Sequence, residues 1–116
     1  MADVTVVVHT SVPVKPDRRA DALELVAGLV ERSRNEAGTI PYSAGTDVTN
    51  PNVVQFFERY EDVAALEAHQ ASTAYERFQN ALPDLLDGEL ETVTVGPGGT
   101  VQVVQWDGEA VTRVEP

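Results

Sequence analysis

The stretch Asn50-Pro-Asn-Val-Val-Gln-Phe-Phe-Glu-Arg-Tyr-Glu-Asp-Val-Ala-Ala-Leu-Glu-Ala-His-Gln-Ala-Ser72 changes its hydrophobic period half-way along. Asn50-Pro51-Asn52 is a turn signal, because asparagine and proline both favour turn backbone. The residues after it alternate as a strand does, with Phe56, Glu58 and Tyr60 on one side. Asp62 can then accept a hydrogen bond from the first turn of a helix, and Val63 and Leu66 begin that helix's apolar stripe. Ile40 to Val48 reads as a weaker strand ahead of the turn, so the segment is strand, turn, strand, helix.

Working outward, Val4 to Val12 is valine-rich and ends at Pro13, which predicts a strand. Pro16 and Gly38 bracket a long helix, in which Ala22, Leu23, Val26, Leu29, Val30 and Ser33 fall on one face. On the other side, Thr73-Ala-Tyr-Glu76 matches a capping box and predicts a break near Ser72. Tyr75, Phe78 and Leu82 carry the stripe of the helix that follows. Beyond Pro83 and an Asp87-Gly88 turn, Leu90 to Val95 reads as a fourth strand. The resulting order, β-α-β-β-α-β, is the α+β split βαβ or ferredoxin-like arrangement, with helices on one face of an antiparallel sheet. It accounts for residues 1–98. Residues 99–116 form an extension that reads as a β-hairpin, Val101 to Trp106 and Glu109 to Val114, joined at Asp107-Gly108. The helices cover only one sheet face, so a second copy of the chain is the expected cover for the other.

Size and composition limit what this domain does. The chain has 116 residues, enough for one core. It has no cysteine, which excludes disulfides, thiolate metal sites and cysteine nucleophiles. Two histidines far apart in sequence form no metal-ligand pattern, and the glycines of Gly96-Pro-Gly-Gly99 lie between strand signals rather than in a dinucleotide-binding turn. No apolar run reaches the ~20 residues of a membrane span, and no basic segment precedes the first apolar run, so a cytoplasmic location is expected. With 19 acidic against 8 basic residues and a formal charge of −11, the chain repels phosphate backbones, so nucleic acid is not an expected partner. Lys15 is the sole lysine, and the acids are spread throughout, a composition that resembles proteins of salt-rich cytoplasm.

Several pieces in order resemble the antibiotic biosynthesis monooxygenase family: Lys15-Pro16, Ser33-Arg34-Asn35-Glu36-Ala37-Gly38, Tyr42, Phe57-Glu58-Arg59-Tyr60-Glu61-Asp62, then Ala65-Leu66-Glu67-Ala68-His69 and Ser72. The resemblance covers roughly residues 4 to 95. It implies a ferredoxin-like subunit in a dimeric α+β barrel, with a cavity between sheet and helices. It also implies oxidation of quinols or polyphenolic aromatics by dioxygen, with no metal or flavin cofactor. Haem degradation, found in a related branch, is not expected, because that branch has a helix histidine where this chain has Tyr75 to Gln79.

The candidate site follows from these readings. His69 comes in steps of three after Val63 and Leu66, at the edge of the buried stripe, and matches the family's helix histidine. It is the candidate general base toward a phenol, since a free imidazole titrates near ~6.5; the structural alternative is an anchor at the helix break. Phe56 and Tyr60 are candidates for an aromatic wall against a substrate, with Glu58 as a polar contact, ordinary core packing being the alternative for both rings; Tyr75 and Phe78 read as core or site. His9 lies near where the related haem-degrading branch has a polar cavity residue, but it alternates with Thr5, Val7 and Ser11 on the more polar face of its strand, which reads equally as an exposed or interfacial histidine. Two other functions suit the same scaffold: a non-enzymatic, dimeric aromatic-binding or stress-related module, and an isomerase or lyase working without oxygen.

Overall fold

The computed structural model describes residues 5–114. Strand β1 (Val6–Pro13) leads through a single 3-10 turn at Pro16–Arg18 into helix α1 (Arg19–Ser33). Strands β2 (Thr39–Thr46) and β3 (Val53–Tyr60) form the hairpin around Asn50-Pro51-Asn52. Helices α2 (Val63–Gln70) and α3 (Thr73–Leu85) follow, and then β4 (Leu90–Val95), β5 (Val101–Trp106) and β6 (Val111–Val114). The six strands make one sheet in the order β2-β3-β1-β4-β5-β6, every neighbouring pair antiparallel. The first four in that order are the ferredoxin-like arrangement, and β5–β6 extends it at the β4 edge.

Alternation along the strands decides which face is buried. Val6, Val8 and Val12 of β1 and Val54, Phe56 and Tyr60 of β3 point to the helices and are buried. Ala22, Val26 and Leu29 of α1 and Phe78, Leu82 and Leu85 of α3 close over them. Glu58 belongs to the same inward row, paired across from Val8 and Tyr42. A carboxyl among these apolar partners is costly unless something offsets its desolvation. The opposite face is open and mixed, with Val7, Val93 and Val103 beside His9, Gln55 and Glu91, and Phe57 is 44% exposed there.

Asp62 caps α2 as expected, accepting from the Ala65 amide at 2.8 Å. Other expectations shift by a few residues. The cap of α3 is Ser72, whose hydroxyl accepts from the Tyr75 amide at 3.2 Å, rather than Thr73. Helix α3 continues through Pro83 to Leu85, where the missing amide costs one bond near the helix end. The final hairpin turn spans four residues, with the Asp107 carboxylate accepting from the Glu109 and Ala110 amides. Val4, read as the start of the first strand, lies outside the described residues.

Two close approaches fix the loops around the interior. Gly38 has φ +81°, and a β-carbon on it would lie 2.7 Å from the Ala65 β-carbon of α2. Its carbonyl also accepts from the Glu61 amide at 2.8 Å. The turn that ends α1 is thereby pressed against α2. Gly108, at φ +99°, sits against Pro83 of α3, so the β5–β6 turn docks on that helix's last turn.

Candidate active site

Between the sheet and α2–α3 is a cavity of about 460 Å³. Tyr42, Phe56, Glu58, His69, Tyr75 and Phe78 line its inner part. Thr92 and Thr94 of β4 and Gln102, Val104 and Trp106 of β5 form the wall beside the C-terminal hairpin. A wider depression between α1 and β2 has Glu31 and Arg34 on its rim, both exposed, and brings no buried titratable groups together.

His69 is the pivot of the inner part. It stands in the last turn of α2, only 2% exposed, with its ring in edge or tilted contact with Tyr42, Tyr60 and Tyr75 at centroid distances of 5.0–5.5 Å. Its Nδ1 lies 2.7 Å from Oε1 of Glu36, a residue of the α1–β2 turn held against α2 at Gly38. In the neutral ring, Nδ1–H donating to this carboxylate leaves the other nitrogen with its lone pair. That nitrogen, Nε2, is buried, has no hydrogen-bond partner among the described residues, and faces Oε1 of Glu58 at 3.9 Å.

Glu58 is held by Tyr60, whose hydroxyl donates to Oε1 at 2.6 Å. Burial pushes the Glu58 carboxyl up to about 7; the Tyr60 hydrogen bond pulls it down, and the nearby Glu36 charge adds to the rise. Glu58 therefore changes charge near neutral pH. The hydroxyls of Tyr42, Tyr60 and Tyr75 are all raised, first by burial and then, for Tyr42 and Tyr60, by the charge of Glu58. They are neutral phenols that can donate hydrogen bonds but do not act as bases. Gln79 donates to the Tyr75 hydroxyl at 2.7 Å and fixes that ring on the cavity side of α3. Phe56 and Phe78 meet edge-on at 5.5 Å and supply the apolar floor.

Six of the seven residues proposed from sequence are thus gathered together: His69, Phe56, Glu58, Tyr75 and Phe78 on the cavity, with Tyr60 behind Glu58. His9 is not among them. It is exposed on the opposite sheet face, paired with Phe57 and Val93, and its Nε2 is 3.4 Å from the Gln55 side chain. Strand alternation forces this separation, since Val8 and Thr10 occupy the inward positions on either side. Three participants were not assigned to the site from sequence: Glu36, Tyr42 and Trp106. Glycine directly after Asn-Glu-Ala was the available signal for a turn that could carry Glu36 inward.

A model of the family described as antibiotic biosynthesis monooxygenase matches residues 5–81, which include Glu36, Glu58 and His69. The chain belongs to the antibiotic biosynthesis monooxygenase family. It is 38% identical over 85 residues to the uncharacterized protein sll1783 of Synechocystis, a match covering 73% of this chain and 58% of that protein, so it spans less than two thirds of that relative. It is 28% identical to the Bacillus subtilis protein named "Putative monooxygenase YcnE", covering 76% of this chain and 93% of YcnE. A conserved protein from Methanosarcina mazei has the same fold, with a TM-score of 0.76 at 24% identity, covering 82% of this chain and 94% of that one. The family match stops inside α3, so β4, the C-terminal hairpin and the wall they give the cavity lie beyond it. Among the described residues, no helix is long and apolar enough to cross a membrane, and no group of three or more His, Asp or Glu side chains could hold a metal ion.

Proposed function

We propose that this family member is a cofactor-independent monooxygenase that oxidises a quinol-like or polyphenolic aromatic with dioxygen. The observation that carries the reading is the pairing of a buried carboxyl–imidazole couple, Glu58 and His69, with an aromatic-walled cavity of about 460 Å³, a volume that suits a fused-ring ligand. Phe56, Phe78 and Tyr75 hold the ring, Tyr60 backs the carboxyl, and the Glu58–His69 pair removes a phenolic proton. The phenolate is electron-rich enough to give an electron to dioxygen. Recombination forms a C–O bond at a C–H carbon para to the phenolate oxygen, or ortho to it where the para position already carries oxygen as in a 1,4-quinol, and the peroxide takes back a proton. Loss of the C–H proton with O–O cleavage leaves the quinone carbonyl and water. Phenol plus dioxygen gives quinone plus water, with all electrons supplied by the substrate.

A homodimer joined through the open sheet faces accompanies this reading, supported by the apolar residues Val7, Phe57, Val93 and Val103 on that face. The deciding experiment is oxygen uptake and product formation with 1,4-dihydroxynaphthalene and with a three-ring phenol, in air and under anaerobic conditions. Oxygen-dependent product with one oxygen atom incorporated supports the proposal. Turnover that persists without oxygen assigns an isomerase or lyase, and tight binding without turnover assigns a binding module.

A further inference from the structure

We propose that Glu58 is the group that takes the proton inside the cavity, and that His69 and Glu36 form its proton connection to solvent. The proposal rests on the oxygenase reading for its substrate, but its central claim, a protonic link from Glu58 through His69 to Glu36, is a property of the free protein.

The exposures order the three groups. The His69 side chain is 1% exposed, that of Glu58 is 9%, and that of Glu36 is 25%. Glu58 and the imidazole both border the cavity, the imidazole is closed off from the outer surface, and Glu36 is the most exposed of the three. A ligand filling the cavity displaces the water that would otherwise exchange protons with Glu58. The remaining path is through the ring. Nδ1 lies 2.7 Å from Glu36, and the unpartnered Nε2 lies 3.9 Å from Oε1 of Glu58, so direct transfer requires the two side chains to draw about 1 Å closer to reach hydrogen-bond distance.

Protons are conserved along the whole path. The phenolic proton moves to the Glu58 carboxylate, giving a neutral acid. Glu58 passes it to Nε2, the ring releases its Nδ1 proton to Glu36, and Glu36 releases it to water. Running the sequence in reverse delivers a proton to the peroxide oxygen and restores the starting tautomer, so no ring flip is required. Among the described residues, the other titratable groups in ring contact with the imidazole are phenols: Tyr42 from β2, Tyr60 from β3 and Tyr75 from α3. Burial raises all three, so none competes as an acceptor near neutral pH. Arg34, in the same turn as Glu36, is occupied with the Tyr42 carbonyl at 2.9 Å.

The test needs no substrate in its first arm. In the full chain carrying 15N-histidine and 13C-carboxyl glutamate, NMR reads the His69 tautomer and the Glu58 titration together. The expected result is an Nδ1–H tautomer whose Nε2 resonance shifts in the same pH step that ionises Glu58. Glu36→Ala, which leaves no acceptor for Nδ1–H, should abolish the tautomer preference while the Glu58 step remains. An Nε2–H tautomer, or an Nε2 resonance indifferent to the Glu58 step, overturns the relay whether or not any aromatic is turned over. In the second arm, with 1,4-dihydroxynaphthalene, Glu58→Gln should lower kcat by ~100-fold or more. Glu36→Gln should lower kcat by about tenfold at unchanged KM and increase the solvent isotope effect. A Glu36→Gln enzyme with wild-type kcat and isotope effect overturns the exit role of Glu36. Absence of turnover in the wild type alone would refute the oxygenase reading, while the link between Glu58, His69 and Glu36 would still stand or fall on the NMR titration.

Discussion

Replacing Glu58 by Gln should stabilise the protein at pH 8 and leave it nearly unchanged at pH 4.5. The folded-state carboxyl is raised from 4.5 to about 7, a gap worth about 3 kcal/mol at 1.36 kcal/mol per pH unit. The sign follows from proton binding. Between those two values the folded chain holds a proton that the unfolded chain has lost, so stability falls as pH rises through the window and levels off above about 7. Below 4.5 both states are protonated and the carboxyl costs little. Glutamine keeps the shape, stays neutral, and its amide oxygen can still accept from the Tyr60 hydroxyl. Above pH 7 the variant therefore escapes the cost of a buried charge. For a chain of this size, about 3 kcal/mol corresponds to roughly 10 °C in melting temperature. Melting both proteins by circular dichroism at pH 4.5 and pH 8 measures the effect. An equal gap at the two pH values, or a less stable variant at pH 8, would refute the claim that a desolvated Glu58 titrates near neutrality. The same variant should lose about 100-fold or more in kcat, which would make Glu58 a residue kept at the expense of stability.

Further outcomes are expected elsewhere. His69→Ala should cost ~1–3 kcal/mol in melting experiments, because it leaves the Glu36 carboxylate and the surrounding phenols without their partner, and turnover should fall with it. Gly38→Ala should destabilise by a similar amount, since its positive φ and the 2.7 Å approach to Ala65 both resist a side chain; NMR should show the Glu36–His69 hydrogen bond weakened. Trp106→Ala should reduce aromatic ligand affinity about tenfold while leaving the Glu58 titration in place, as read by calorimetry. Raising salt from low to molar concentration should raise the melting temperature, as screening relieves the repulsion within a chain of charge −11; no change would remove the salt-adaptation reading.

The fold was legible because its local signals agree with its global pattern. Valines at alternate positions in β1, the Asn50-Pro51-Asn52 turn and the Asp62 cap each name a boundary from chemistry within a few residues. The site was legible only where it lies on those elements. Phe56, Glu58 and Tyr60 share a face because a strand has a period of two, and His69 follows from helical spacing. Glu36 could not be placed this way: it sits 33 residues from His69, and the approach depends on how closely a turn packs on a neighbouring helix. Tyr42 was obscured by the register shift between Thr39 and Tyr42, which spans Pro41, a residue unable to donate to the ladder. Trp106 alternates clearly with Gln102 and Val104, but which side β5 presents is settled only by its pairing with β4.

The docking of Gly108 on Pro83 has a consequence for how such a protein can diversify. The groups proposed to handle protons belong to β3, α2 and the turn after α1, whereas Gln102, Val104 and Trp106 belong to a hairpin held by the β4–β5 ladder and by the contact of Gly108 with Pro83. Substitutions in that hairpin can reshape the chamber without disturbing Glu58, His69 or Glu36. The cavity wall given by the hairpin and the proposed proton-handling groups thus lie on different elements, so substitutions in the first are expected to alter ligand preference without altering the second.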